Sequence, residues 1–163
     1  MSKEKKTPEE RKTEKEDRIR TWVETKIQLA HDWIDNEKTQ AARRIIKGAI
    51  YKCELGENVG TEQGERRPVL VVSNDLINTT SGNVTVIPLT KNLKTKKNKK
   101  GKTVPKYNSH YFLYKSKYTF LEHDSAVLAE EVKTVSKARI FEQMGTETIQ
   151  DIDPKDFERI MTR

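Results

Sequence analysis

Two residues have the type and setting to do chemistry on a phosphate: Arg67 and Thr90. Arg67 precedes Pro68 at the head of the apolar run PVLVVS, and a residue before proline is held extended, so its guanidinium sits at the mouth of a strand. A guanidinium fixed there binds phosphate through parallel N–H donors, or else pairs with Glu62 or Glu65, and residue chemistry leaves both open. Thr90 closes Ile87-Pro88-Leu89-Thr90, where its hydroxyl either donates to a phosphate oxygen or simply ends a strand. Other chemistries find little support. His31, His110 and His123 are far apart with no i, i+4 pair, and Cys53 is alone, so neither a metal site nor a cofactor is expected. The phosphate loop Gly-x-x-x-x-Gly-Lys-Ser/Thr and the nucleophile elbow Gly-x-Ser-x-Gly are both absent.

The chain of 163 residues has 32 Lys and Arg against 25 Asp and Glu, and the surplus has one source. Residues 91–117 hold ten lysines (Lys91, Lys94, Lys96, Lys97, Lys99, Lys100, Lys102, Lys106, Lys115 and Lys117) and no acid. Their mutual repulsion is relieved by a polyanionic partner; the alternative is a solvated loop that keeps the protein soluble. No segment approaches the roughly 18 apolar residues of a membrane span, and the charged start lacks the apolar run of a secretory signal. A cytoplasmic protein without membrane contact is expected, and the single cysteine fits a reducing compartment.

The elements that position these residues follow from periodicity. Residues 1–16 are almost wholly polar and read as disordered or a frayed helix. Ile19, Trp22, Val23, Ile27, Ala30, Trp33 and Ile34 then recur at spacings of three and four, predicting an amphipathic helix that packs on its own domain or across a dimer. Residues 1–44 are thus a charged tail and helical leader, and 45–163 a domain. Within it strands are predicted over 45–55, 68–73, 84–89 and 111–118, with one or two more over 125–135, separated by a glycine loop (56–64), a turn (74–83) and the lysine segment. Short strands divided by turn signals imply a small barrel or a coiled antiparallel sheet. A helix capped by Ser136 is predicted to run to about Met144, and a last one to start at Asp153-Pro154.

The run GTEQGERRPVLVVSNDLINTTSGNVTVIPLT resembles the MazF/PemK family of toxin endoribonucleases. That family has a Gly-Ser-Glu-Gln loop, an Arg-Pro opening a hydrophobic strand, an Asn-Asp turn and a strand ending in Pro-x-Thr. Lys47-Gly48-Ala49-Ile50-Tyr51 and the stretch from Asp124 to Val135 extend the likeness over about residues 44–162. The resemblance implies a mainly β fold with flanking helices, an SH3-like small barrel of the kind CcdB also has. It implies a homodimer that cleaves single-stranded RNA sequence-selectively and without metal, silenced by a cognate antitoxin of a type II toxin–antitoxin system. It assigns Arg67 and Thr90 as the catalytic pair, with Glu62 in a loop position tied to activity in some members. In plasmid-type members an arginine and an aspartate of the late strand act instead; Leu128 and Glu130 stand there, so the chain looks like the Arg/Thr subtype, with the base open between Glu62, Glu130 and solvent. Ala49 and Thr61 depart from the family's acidic and serine residues. Lys91, Lys94, Lys96, Lys97, Lys99 and Lys100, with Gln63 and Asn74, are the expected RNA contacts. The competing expectations are a non-catalytic nucleic-acid-binding module and a gyrase-poisoning toxin of the CcdB type. The leader lies outside the resemblance; it packs in cis, shields the antitoxin groove or joins subunits.

Overall fold

A computed structural model describes residues 6–146 and 149–163. The first helix, α1 (Pro8–Ala42), opens on a capping box: the Glu10 N–H donates to the Thr7 hydroxyl at 3.2 Å while the Glu10 carboxylate accepts from the Thr7 N–H at 2.7 Å. The helix therefore starts eleven residues before Ile19, inside the segment expected to be disordered or frayed, because capping, Pro8 at its first turn and the pairs Lys12–Glu9 and Arg20–Glu16 support it locally. Residues 1–5, the rest of that segment, lie outside the described residues. Asn36 has non-helical angles (φ −126°, ψ 24°) and kinks the helix. No described helix is long and apolar enough to cross a membrane.

Strands β1 (Ile50–Glu54), β2 (Arg66–Val71) and β3 (Asn83–Thr90) form the centre of an antiparallel sheet. A helical turn α2 (Asp75–Thr80) links β2 to β3. Beyond β3 come a small hairpin, β4 (Thr95–Lys97) with β5 (Thr103–Pro105), then β6 (His110–Leu113), β7 (Ser125–Leu128), β8 (Lys133–Ser136), β9 (Ile140–Gln143) and helix α3 (Pro154–Met161). The order is β6-β7-β3-β2-β1-β9, and β8 also pairs with β3. Along β3 one edge pairs first with β8 (Asn83 to Val86) and then with β7 (Leu89 and Thr90), which brings the start of β7 to Thr90.

The sheet is apolar on both sides, as the unbroken run at 68–73 predicts. Tyr51, Cys53, Val69, Val71, Val84 and Val86 face one core with Ile45, Val135 and Ile140. The alternating residues Ile50, Leu70, Ile87 and Leu89 face a second core with Leu113, Leu121, Ile152 and Ile160 of α3. Burial pushes the Cys53 thiol up to about 12, so it is a packing residue and not a nucleophile. Asp153 caps α3 through the Lys155 and Asp156 N–H groups, with Pro154 behind it, as expected.

Three expectations change. The predicted helix from Ser136 to Met144 is a 3-10 turn (Lys137–Arg139) followed by β9. Ser136 does accept from the Ala138 N–H, but Ile140 and Gln143 pair with Cys53 and Tyr51, and sheet pairing overrides the local cap. The turn at 74–83 contains α2, N-capped by Asn74. The strand expected over 111–118 is β6 and stops at Leu113.

Candidate functional site

The loop from Gly56 to Glu65 joins β1 to β2 and delivers Arg67 two residues into β2, where it lies across from Cys53. Its guanidinium is half-buried: Nε donates to the Gly64 carbonyl at 2.6 Å and Nη1 to the Gln63 side-chain oxygen. Neither Glu62 nor Glu65 takes it; among the described residues Arg67 has no ion pair, and Glu65 pairs with Arg18. Burial lowers the pKa of Arg67 against the opposing fields of Glu65 and Glu131, so the charge is poorly compensated. Such a group gains from any anion that reaches it.

A cleft of about 670 Å³ opens beside it, lined among others by Arg67, Thr90, Lys91, Glu122 and His123. Thr90 is half-buried, and its hydroxyl oxygen accepts from the Asn92 N–H at 3.2 Å, leaving its own proton to donate. Two cations of the cleft wall are paired: Lys52 and Arg66 lie 3.1 and 3.6 Å from Glu142. Arg67 and Lys91 remain without an ion pair among the described residues. Among those residues no three His, Cys, Asp or Glu side chains gather to hold a metal ion.

The remaining candidates fall elsewhere. Glu62 and Glu130 line a neighbouring groove with Thr61, Glu131 and Val132, not the cleft of Arg67 and Thr90. Burial raises the Glu130 carboxyl, but hydrogen bonds from its own N–H, Ser109 and His110 outweigh this and hold it below the usual range; His110 Nε2 is 2.8 Å away. Gln63 orients Arg67, and its backbone is held by Glu131 and Asn58 at 2.8 and 2.6 Å. Asn74 spends its side-chain oxygen on the Ile77 N–H as the cap of α2. Leu128 is buried in β7. Lys96 and Lys97 lie on β4, and Lys99 and Lys100 in the turn to β5, all exposed. Asn98 holds that turn, its side chain accepting from the Lys100 and Lys102 N–H groups, so the lysine segment is an ordered hairpin rather than a loose loop. His123 also lines the cleft; the register of β7 against β3 brings it there, and no local spacing in the sequence announces that.

Fold and cleft together define a class: a small antiparallel β domain with a cleft that presents a poorly compensated guanidinium, a hydroxyl and a lysine. Residues 46–163 match the family described as PemK-like, MazF-like toxin of type II toxin–antitoxin system, and the chain belongs to that family. It is 31% identical over 100 residues to endoribonuclease EndoA of Bacillus subtilis (strain 168), covering 61% of this chain and 78% of that protein. Endoribonuclease MazF of Staphylococcus epidermidis is 33% identical over 100 residues, 61% of this chain and 75% of that one. Among solved structures, MazF of Deinococcus radiodurans superposes with a TM-score of 0.56 at 21% identity, covering 74% of this chain and 92% of that chain. A mycobacterial endoribonuclease solved with its cognate antitoxin gives 0.50 at 21% identity, covering 72% and 88%.

Proposed function

We propose that this chain is the toxin of a type II toxin–antitoxin pair: a homodimeric, sequence-selective endoribonuclease that cuts single-stranded RNA without a metal ion, using Arg67 and Thr90. The observation that carries this reading is the half-buried Arg67 guanidinium, bonded only to uncharged groups and sharing a cleft with the Thr90 hydroxyl. The relatives named as endoribonucleases supply the substrate class, and a structural neighbour solved with its antitoxin supplies the kind of partner.

In this reading the 2′-hydroxyl attacks the adjacent phosphorus. The O2′–P bond forms, the P–O5′ bond breaks, and the products are a 2′,3′-cyclic phosphate and a 5′-hydroxyl. Arg67 stabilises the added negative charge on the phosphorane oxygens, and Thr90 donates a hydrogen bond to one of them. Arg67 holds its proton throughout, since a guanidinium does not give it up in proteins. His123 is the cleft residue whose ring nitrogens suit both taking the 2′ proton and returning one to the departing 5′ oxygen. Glu62 and Glu130, the acids that the family resemblance offers for that step, line the neighbouring groove. The hairpin lysines supply sequence-independent attraction to the backbone.

The test is incubation of the purified chain with a long single-stranded RNA, with and without EDTA. Discrete fragments with 5′-hydroxyl ends that persist in chelator are expected. Tight, salt-dependent binding without cleavage would instead identify a binding module, and inhibition of gyrase without RNA cleavage would identify a CcdB-type toxin.

A further inference from the structure

Helix α1 precedes the family match, which begins at residue 46, yet it grips the loop on which Arg67 depends. We propose that α1 is a built-in positioning element of the cleft: it locks residues 56–65 in the one geometry that presents the Arg67 guanidinium. The consequence for catalysis rests on the reading of the cleft given above; the hold of α1 on the loop does not.

The grip has two parts. Lys15 Nζ and Arg18 Nη2 both reach the Glu57 carboxylate at 2.6 Å, and that side chain is only 8% exposed. Arg18 also bonds Glu65, so one guanidinium ties both ends of the loop to the helix. One turn further on, the Trp22 indole lies over Gly56, where a Cβ would stand 2.5 Å from the ring. Only glycine allows the ring this close, and Gly56 also has φ +86°.

What is gripped matters. Glu65 has φ +62°, a left-handed conformation that a residue with a side chain persists in only where its surroundings enforce it. Its N–H donates to the Gly56 carbonyl at 2.6 Å, its carbonyl accepts from the Leu55 N–H at 3.0 Å, and its carboxylate is taken by Arg18. Both hydrogen-bond acceptors of Arg67, the Gly64 carbonyl and the Gln63 side chain, come from this same loop. With glycines at 56, 60 and 64 the loop is costly to order, and a shift of the reacting group by an ångström is costly in rate. Removing α1's contacts should therefore leave the sheet intact and misplace Arg67.

The experiment uses the full chain with Arg18→Ala, Arg18→Lys, Trp22→Phe and Arg67→Ala. It reads kcat and KM on single-stranded RNA and amide hydrogen exchange along the backbone. For Arg18→Ala, kcat should fall about ten- to a hundredfold with a smaller change in KM. Exchange should quicken at 57–65 while β1, β2 and β3 stay protected, a local pattern that general destabilisation does not produce. Arg18→Lys, which keeps a charge for Glu57 but loses the fork that reaches Glu65, should fall between; Trp22→Phe should loosen the loop least. Unchanged kcat and unchanged loop exchange in Arg18→Ala, with Arg67→Ala inactive, would overturn the proposal. Wild-type cleavage by Arg67→Ala would overturn the reading of the cleft instead, and exchange at 57–65 would then decide the hold of α1 by itself.

Discussion

Arg67 and the lysines of the β4–β5 hairpin carry the same charge in opposite settings: the guanidinium is half-buried and bonded to uncharged groups, while the ammonium groups of Lys96, Lys97, Lys99 and Lys100 stand in water. A solvated cation has little to gain from any one phosphate, because water and salt already screen it; its effect is long-ranged and additive. A desolvated cation without a counter-ion gains much from a single anion placed at one point. On the proposed reading, attraction of a polyanion and stabilisation of charge at one atom are separated by burial rather than by residue type.

That division can be broken by substitution. Arg67→Ala should lower kcat about a hundred- to a thousandfold, the loss typical of removing one preorganised donor to a developing oxyanion, with Tm little changed. Retained activity with normal thermal unfolding would dissolve the contrast. Thr90→Val keeps the shape and removes the donor, so kcat should fall about tenfold with KM near wild type; a loss confined to KM would make Thr90 a binding residue.

Glutamine at Lys96, Lys97, Lys99 and Lys100 should leave kcat alone and raise KM. The slope of log affinity against log salt should flatten by about 0.7 for each phosphate contact removed from single-stranded RNA. A fall in kcat from these changes would place the hairpin in the chemistry. The smallest effect at neutral pH concerns the anchor of the hairpin's side of the domain. Tyr111, Tyr118 and Lys117 all donate to Asp156 of α3 at 2.5 to 2.7 Å. Burial opposes the Asp156 charge, but the hydrogen bonds from Lys117, Tyr118 and Tyr111 outweigh it and hold the carboxyl down to about 2. A lowered carboxyl contributes stability above the ordinary carboxylate range, near pH 4, and loses it as pH falls through about 2; the amount is on the order of 2 kcal/mol. Unfolding curves should show Asp156→Asn less stable at pH 7 and flatter between about pH 4 and 2. Equal pH dependence in both proteins would remove Asp156 from that role.

Features decided over a few residues are legible in the sequence. Pro68 extends Arg67, Asp153-Pro154 starts α3, and the apolar run at 69–71 is buried on both faces, all from short-range rules. The Ser136 cap was also real but indecisive, since Ile140 finds Cys53 across the sheet and strand pairing takes the segment that a helix would have used. The cleft itself was only half legible. Arg67 and Thr90 stand at ends of their own strands, whereas His123 arrives through pairing of β7 with the far end of β3; Glu62, in the loop between β1 and β2, and Glu130, just after β7, line another groove. The ion pair that the sequence offered Arg67 fails because Glu65 turns to a helix some forty-seven residues away in the chain.

The two tryptophans of the chain both lie on α1, and both rings rest on backbone of the β domain, Trp22 on Gly56 and Trp33 on Gly82. The molecule therefore carries an internal optical gauge: intrinsic indole emission reports only the seat of the leader, at the Gly56–Glu65 loop through one ring and at the start of β3 through the other. A red shift on adding RNA or an antitoxin would register the leader lifting, in the unlabelled native protein.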